Sequence, residues 1–173
     1  LDKTPLKEDI NRYLRYSEKY DLPILAGGWY YVLGRDEELL MDNLRIGAQL
    51  GSLVHNTQII MDHADGTLVT NDQVAEIYIK AYELGESVGC LPTFEVHVNM
   101  WSEDFRRIEI VAEQVNRRGV PFRMTLDHSH IIFKMDNEFE MNLFNLSHNI
   151  KNGSLILDPY IKGNVAHKLI YRN

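Results

Sequence analysis

The chain holds a single cysteine, Cys90, among its 173 residues. No intrachain disulfide can form, a reducing compartment is favoured, and Cys90 itself, between Gly89 and Leu91, is expected to be a buried bystander. Positive charge is also in short supply. Eighteen Lys and Arg stand against 25 Asp and Glu, for a formal charge of −7. The bases are scattered among acids, which speaks against a nucleic-acid partner because phosphate contacts need clustered cations. No apolar run approaches the roughly 18 residues a membrane span requires, and the first residues show no basic region followed by an apolar one. The expectation is a cytoplasmic, single-domain protein that works on small molecules.

What is present is a repeat of helix and strand signals. Thr4-Pro5 reads as an N-cap with a first-turn proline, and Leu6, Ile10, Tyr13, Leu14 and Ser17 keep helical spacing up to Asp21. Pro23 to Ala26 reads as a strand. Asp36 opens a helix with Leu40, Leu44 and Gly47 on one side, ending near Gly51, and Val54 to Met61 follows as a strand. Thr70 and Gln73 form a capping box ahead of the stripe Val74, Ile77, Tyr78, Ala81 and Tyr82. Gly89 releases the chain into a strand over Pro92 to Asn99. Ser102, with Glu103 and Asp104 in the first turn, is expected to cap a helix carrying Phe105, Ile108, Ala112 and Val115, which Gly119 ends before a strand over Pro121 to Asp127. Asn137 with Glu140 predicts another helix, and Ser154 to Leu157 a fifth short strand.

Such alternation, with strands that read as mostly continuous apolar runs, predicts α/β architecture with a parallel sheet covered by helices. No linker or low-complexity segment divides it. Two folds satisfy the pattern: an open doubly wound sheet of about five strands, which the length favours, and an eight-stranded (β/α) barrel of about 250 residues, which the motifs favour.

Two carboxylates lie inside these apolar strands. Glu95 sits in Pro92-Thr93-Phe94-Glu95-Val96-His97-Val98-Asn99, and Asp127 closes Pro121-Phe122-Arg123-Met124-Thr125-Leu126-Asp127, followed by His128-Ser129-His130. A buried carboxylate must be protonated, paired or metal-bound. Strand alternation sends Glu95, His97 and Asn99 to one face, and Arg123, Thr125 and Asp127 to one face of the next strand. Mixed carboxylate and imidazole donors suit manganese, magnesium, cobalt or zinc. The competing readings are a buried salt bridge from Glu95 to Arg123 and a turn aspartate at Asp127 that satisfies backbone donors. His128 points away from Asp127 under the same alternation. His55, His63, His148 and His167 read as packing or surface residues, with His63 nearest a cavity rim.

Gly27-Gly28-Trp29 matches no phosphate-binding glycine pattern. It is expected to turn the chain tightly at a strand end and present Trp29 as a wall for a sugar ring, with plain core as the alternative; the same choice applies to Trp101. Tyr30 and Tyr31 suit either a substrate wall or the subunit contact of a homo-oligomer.

The glutamate strand, the helix after it and Leu126-Asp127-His128-Ser129-His130 together resemble the xylose isomerase-like TIM barrels of the sugar phosphate isomerase and epimerase type, over Pro23 to about His130. The resemblance implies that Glu95 and Asp127 match the metal-binding glutamate and aspartate at the ends of the fourth and fifth strands, and that His130 takes the substrate-contacting place of the Asp-x-x-His pattern. It also implies a sixth-strand histidine and an eighth-strand glutamate, which no residue here matches. A chain that opens on Leu1 and carries about five of eight βα units is therefore expected to be an internal fragment of a barrel of roughly 250 to 330 residues, too incomplete to be active alone.

The expected activity is divalent-metal-dependent isomerisation or epimerisation of a sugar, sugar phosphate or polyol. Glu95 would serve as ligand and proton shuttle, Asp127 as ligand, and His97, His130, Asn99 and Trp29 would contact substrate, with manganese the favoured ion. Alternatives are a lyase or C-glycoside-cleaving enzyme of the same superfamily, and a non-catalytic sugar-binding module.

Overall fold

The computed structural model describes residues 7–127 and 129–130. The expectations at Thr4-Pro5, His128, the helix from Asn137, His148, Ser154 to Leu157 and His167 lie outside them. Helix α1 (Lys7–Tyr20) leads into β1 (Ala26–Tyr31), α2 (Glu37–Leu50), β2 (Val54–Ile59), α3 (Asn71–Val88), β3 (Leu91–Glu95), a 3-10 turn at Trp101–Glu103, α4 (Phe105–Arg117) and β4 (Met124–Thr125). The four strands are parallel and lie in chain order, β1-β2-β3-β4. The protein is α/β. A doubly wound sheet reverses its strand order at a switch point, and no reversal occurs among these four. With right-handed crossovers and no reversal, α2, α3 and α4 fall on one face of the sheet, where α3 packs on both its neighbours.

Helix limits follow the expected signals closely. Asp36 and Gly51 flank α2, with Gly51 left-handed at φ 83°. The Thr70–Gln73 capping box forms in both directions, and Gly89 closes α3 at φ 88°. Every residue of the expected α3 stripe is buried. At α4 the cap is Asp104, whose carboxylate accepts from the Arg106 N–H. Ser102 does not cap it: buried, it donates to the Glu95 carbonyl at 2.5 Å.

Strands depart further from expectation. β1 starts at Ala26, three residues after Pro23, and runs through the glycines that read as a turn. The aromatic run Trp29-Tyr30-Tyr31 favours a strand, and the glycines serve close neighbours within the sheet. A Cβ on Gly28 would lie 3.2 Å from the Asn56 carbonyl oxygen, and one on Gly27 would lie 3.4 Å from His55 Nδ1. β3 ends at Glu95, so His97 and Asn99 follow the strand instead of sharing its pleat. Asn99 is left-handed at φ 61°. Of Pro121 to Asp127 only Met124 and Thr125 pair as strand. Nor are the strands apolar on both faces. Tyr31, Ile59 and Phe94 join the core beneath the helices, whereas Asn56, Gln58, Thr93, Glu95 and Thr125 alternate to the other face.

The core on the helix side is aromatic and has hydroxyl anchors. Tyr78 packs edge-on against Phe94, donates to the Pro121 carbonyl at 2.9 Å and accepts from the Arg123 N–H at 2.7 Å, which fixes the entry to β4. Trp101 is fully buried against Phe94 and belongs to this core. Cys90 is buried as expected, and burial pushes its thiol up. Gly47 and Gly85 let α2 and α3 close down on it: a Cβ would meet Cys90 Sγ at 2.8 Å from Gly47 and the Cys90 carbonyl oxygen at 2.6 Å from Gly85.

Two outcomes test this packing. Gly47→Ala should destabilise the protein by about 1–3 kcal/mol through overpacking and regain most of that loss in a Cys90→Ala background, whereas Gly85→Ala, facing backbone, should not be rescued. Chemical denaturation of the single and double variants measures both. The second concerns His55, which is buried and shares its Nε2 with the Tyr31 hydroxyl at 2.6 Å. Burial pushes its imidazole down from 6.5 to about 4. Within that window the unfolded chain binds a proton that the folded chain does not, so stability falls as pH falls, by about 3 kcal/mol in all. His55→Gln, which cannot titrate, should lack this component when urea melts at pH 7 and pH 4 are compared with wild type.

Candidate functional site

The face turned away from the helices is polar at its C-terminal end. Register places Gly28, Asn56 and Thr93 in one row across the sheet and Glu95 beside Thr125 in the next. Glu95 is only 7% exposed. Its Oε2 accepts from Asn56 Nδ2 at 2.7 Å and from the Gln58 side-chain amide. Arg123 forms no salt bridge with it among the described residues, and the Arg123 N–H goes to Tyr78. Two neutral amides thus orient a buried carboxylate without cancelling its charge, an arrangement that leaves it fit to hold a cation or take a proton. Asn56 Oδ1, also buried, has no hydrogen-bond partner. Thr93 and Thr125 join through their hydroxyls at 2.8 Å. Asn56 and Gln58 were not singled out from the sequence, although polar residues two apart inside Val54–Ile59 carry the period of a strand face.

A second group stands just beyond. Thr125 pairs with Glu95, so Asp127 and His97 each lie two residues further along their chains, past the ends of β4 and β3. His97 and His130 meet ring to ring, with centroids 3.7 Å apart. His130 Nε2 is 3.6 Å from Asp127 Oδ2. His97 donates Nδ1–H to the Val98 carbonyl at 2.7 Å, which leaves Nε2 as the lone-pair nitrogen of the neutral ring. Asp127 Oδ1 accepts from the Ser129 hydroxyl at 2.5 Å and the Ser129 N–H at 2.9 Å. The Ser129 hydroxyl foremost, then the backbone N–H groups of Ser129 and His130 and the His130 imidazole, hold the Asp127 carboxyl below the usual range against an opposing effect of burial. The backbone-satisfying role weighed for Asp127 is therefore present, and it occupies one oxygen.

The structure brings Asp127, His97 and His130 together at the rim and sets Glu95 one step below them. Asn99 is exposed, and its N–H is taken by Glu103 at 2.5 Å. Trp29 does not share the face of Glu95: it pairs in register with Thr57, on the helix side, and stacks on Tyr30 with centroids 5.0 Å apart. Tyr30 pairs in register with Gln58 and is 44% exposed. His63 lies in the loop after β2, 3.1 Å from an Asp65 oxygen.

As donors for a divalent metal, Glu95 and Asp127 fit in kind: one is a buried carboxylate without a cation, the other keeps Oδ2 off its backbone contacts. Among the described residues no group of three His, Cys, Asp or Glu is placed so that it could hold a metal ion, so the donor set is not complete within them. No helix of the described residues is long and apolar enough to cross a membrane. The chain matches no protein-family model, and no curated protein matches it.

Proposed function

We propose that the protein is part of a (β/α) barrel enzyme that isomerises or epimerises a sugar or related polyol with a divalent metal, manganese foremost. The observation that carries this is Glu95: a carboxylate 7% exposed, at the C-terminal end of a parallel strand, oriented by two amides and balanced by no cation among the described residues. Functional groups of parallel α/β folds gather at that end of the sheet. Strands added in chain order with helices on one face are the arrangement of a barrel wall, and the polar face would then line its interior.

Glu95 and Asp127 would hold the metal, which when bound polarises a substrate carbonyl and lowers the cost of removing a proton from the adjacent carbon. Glu95 accepts or returns that proton, its oxygen Oε2 kept in place by Asn56 and Gln58. His97 and His130 hydrogen-bond substrate at the rim, and Tyr30 provides the stacking surface first assigned to Trp29. A non-catalytic sugar-binding module is the second reading, favoured by the absence of a three-ligand group among the described residues.

Manganese titration followed by paramagnetic relaxation of water should show a single site that Glu95→Gln and Asp127→Asn each weaken by tenfold or more. Unchanged affinity in both variants would sink the ligand assignment. In deuterated water with manganese, a panel of ketoses and keto-sugars should take up deuterium next to the carbonyl, detected by mass spectrometry. His130→Ala should mainly raise KM and leave the metal bound. Binding of sugars without exchange, at saturating metal, favours the module.

A further inference from the structure

We infer that the helix side of β1 and β2 carries a second pocket, for a small neutral molecule with one hydrogen-bond-accepting oxygen. It lies across the sheet from Glu95 and does not depend on the function proposed above. The cavity measures about 370 Å³; Tyr13 of α1, Trp29, and Ile46 and Leu50 of α2 supply apolar wall, and Asn43, Ser52 and His55 are polar residues of its lining.

His55 offers a donor in want of an acceptor. The proton on His55 follows from its neighbours. Asn43 Nδ2 donates to the Tyr31 oxygen at 2.9 Å, so Tyr31 directs its own proton to His55 Nε2 at 2.6 Å. Neutral His55 then carries its hydrogen on Nδ1. Gly27 leaves that nitrogen open, since a Cβ there would stand 3.4 Å from it. An unmade hydrogen bond on a buried group costs about 1–3 kcal/mol, and an acceptor oxygen placed against the His55 Nδ1–H recovers it.

Charge decides the ligand class. No Asp, Glu, Lys or Arg lines the cavity. Burial keeps His55 uncharged at neutral pH. A carboxylate would enter without a counter-ion, at a cost that hydrogen bonds to neutral donors do not offset. A ketone or other neutral oxygen compound with an apolar body fits the lining.

Two cage compounds of like shape, 2-adamantanone and adamantane-1-carboxylate, separate these possibilities by calorimetric titration at pH 7. The ketone should bind and the carboxylate should bind at least tenfold more weakly. Gly27→Val, which fills the space before His55 Nδ1, should abolish binding. Failure of the ketone to bind, equal binding of the carboxylate, or wild-type ketone affinity in Gly27→Val would each overturn the inference.

Discussion

A parallel strand presents two faces, and this sheet gives its helices only one. Because β1 to β4 add in chain order, each crossover helix must return on the same side, and α2, α3 and α4 bury Tyr31, Ile59 and Phe94 there. The opposite face is left with residues that a doubly covered sheet would not tolerate. Asn56 and Gln58 donate to Glu95, and Thr93 joins Thr125, from strand to strand, with no helix of the described residues on that side to supply partners. The position of Glu95 is thus a consequence of topology: it is the acidic member of a polar face that exists because these four strands do not reverse.

The rim depends on a different device. Once β3 ends at Glu95, pleating no longer directs the side chains, and hydrogen bonds to the backbone take over. Ser102 holds the Glu95 carbonyl and reaches the His97 N–H at 3.4 Å. Asn99 occupies a left-handed turn closed by Glu103. On the neighbouring segment, Asp127 gathers the N–H groups of Ser129 and His130. Those contacts bring His130 back over His97. The same carboxylate that orders the turn therefore also fixes the imidazole beside it, and its second oxygen faces that imidazole. Turn aspartate and site aspartate are not competing descriptions of Asp127.

Helices were legible in the sequence because their signals are local. A capping box, a left-handed glycine and a stripe at i, i+3, i+4 lie within a few residues of each other, and α2 and α3 end where those signals place them. Strands were less so, because their limits are set by neighbours. Gly27 and Gly28 carry a turn signal by composition, yet β2 pairs with them residue by residue and puts Asn56 and His55 against their bare Cα atoms. Glu95 and Asp127 stood out as acids in apolar runs. Their partners did not, since Asn56 and Gln58 lie 39 and 37 residues from Glu95 and only register makes them neighbours. Trp29 was expected beyond a strand end, after a glycine turn; because β1 runs from Ala26 to Tyr31, it lies within the strand, opposite Thr57.

β2 shows how tightly that register is held. Its odd positions His55, Thr57 and Ile59 are buried under the helices, and its even positions Asn56 and Gln58 serve Glu95. A slip of one residue exchanges the two sets. Ile59 would then face the polar side, Gln58 would enter the apolar core without a partner, and Tyr31 would lose the nitrogen that accepts its proton. Each of these changes carries its own cost, and they arise together. Both faces therefore select the same pairing, and the strand that orients Glu95 on one side is held in place by the His55–Tyr31–Asn43 chain on the other.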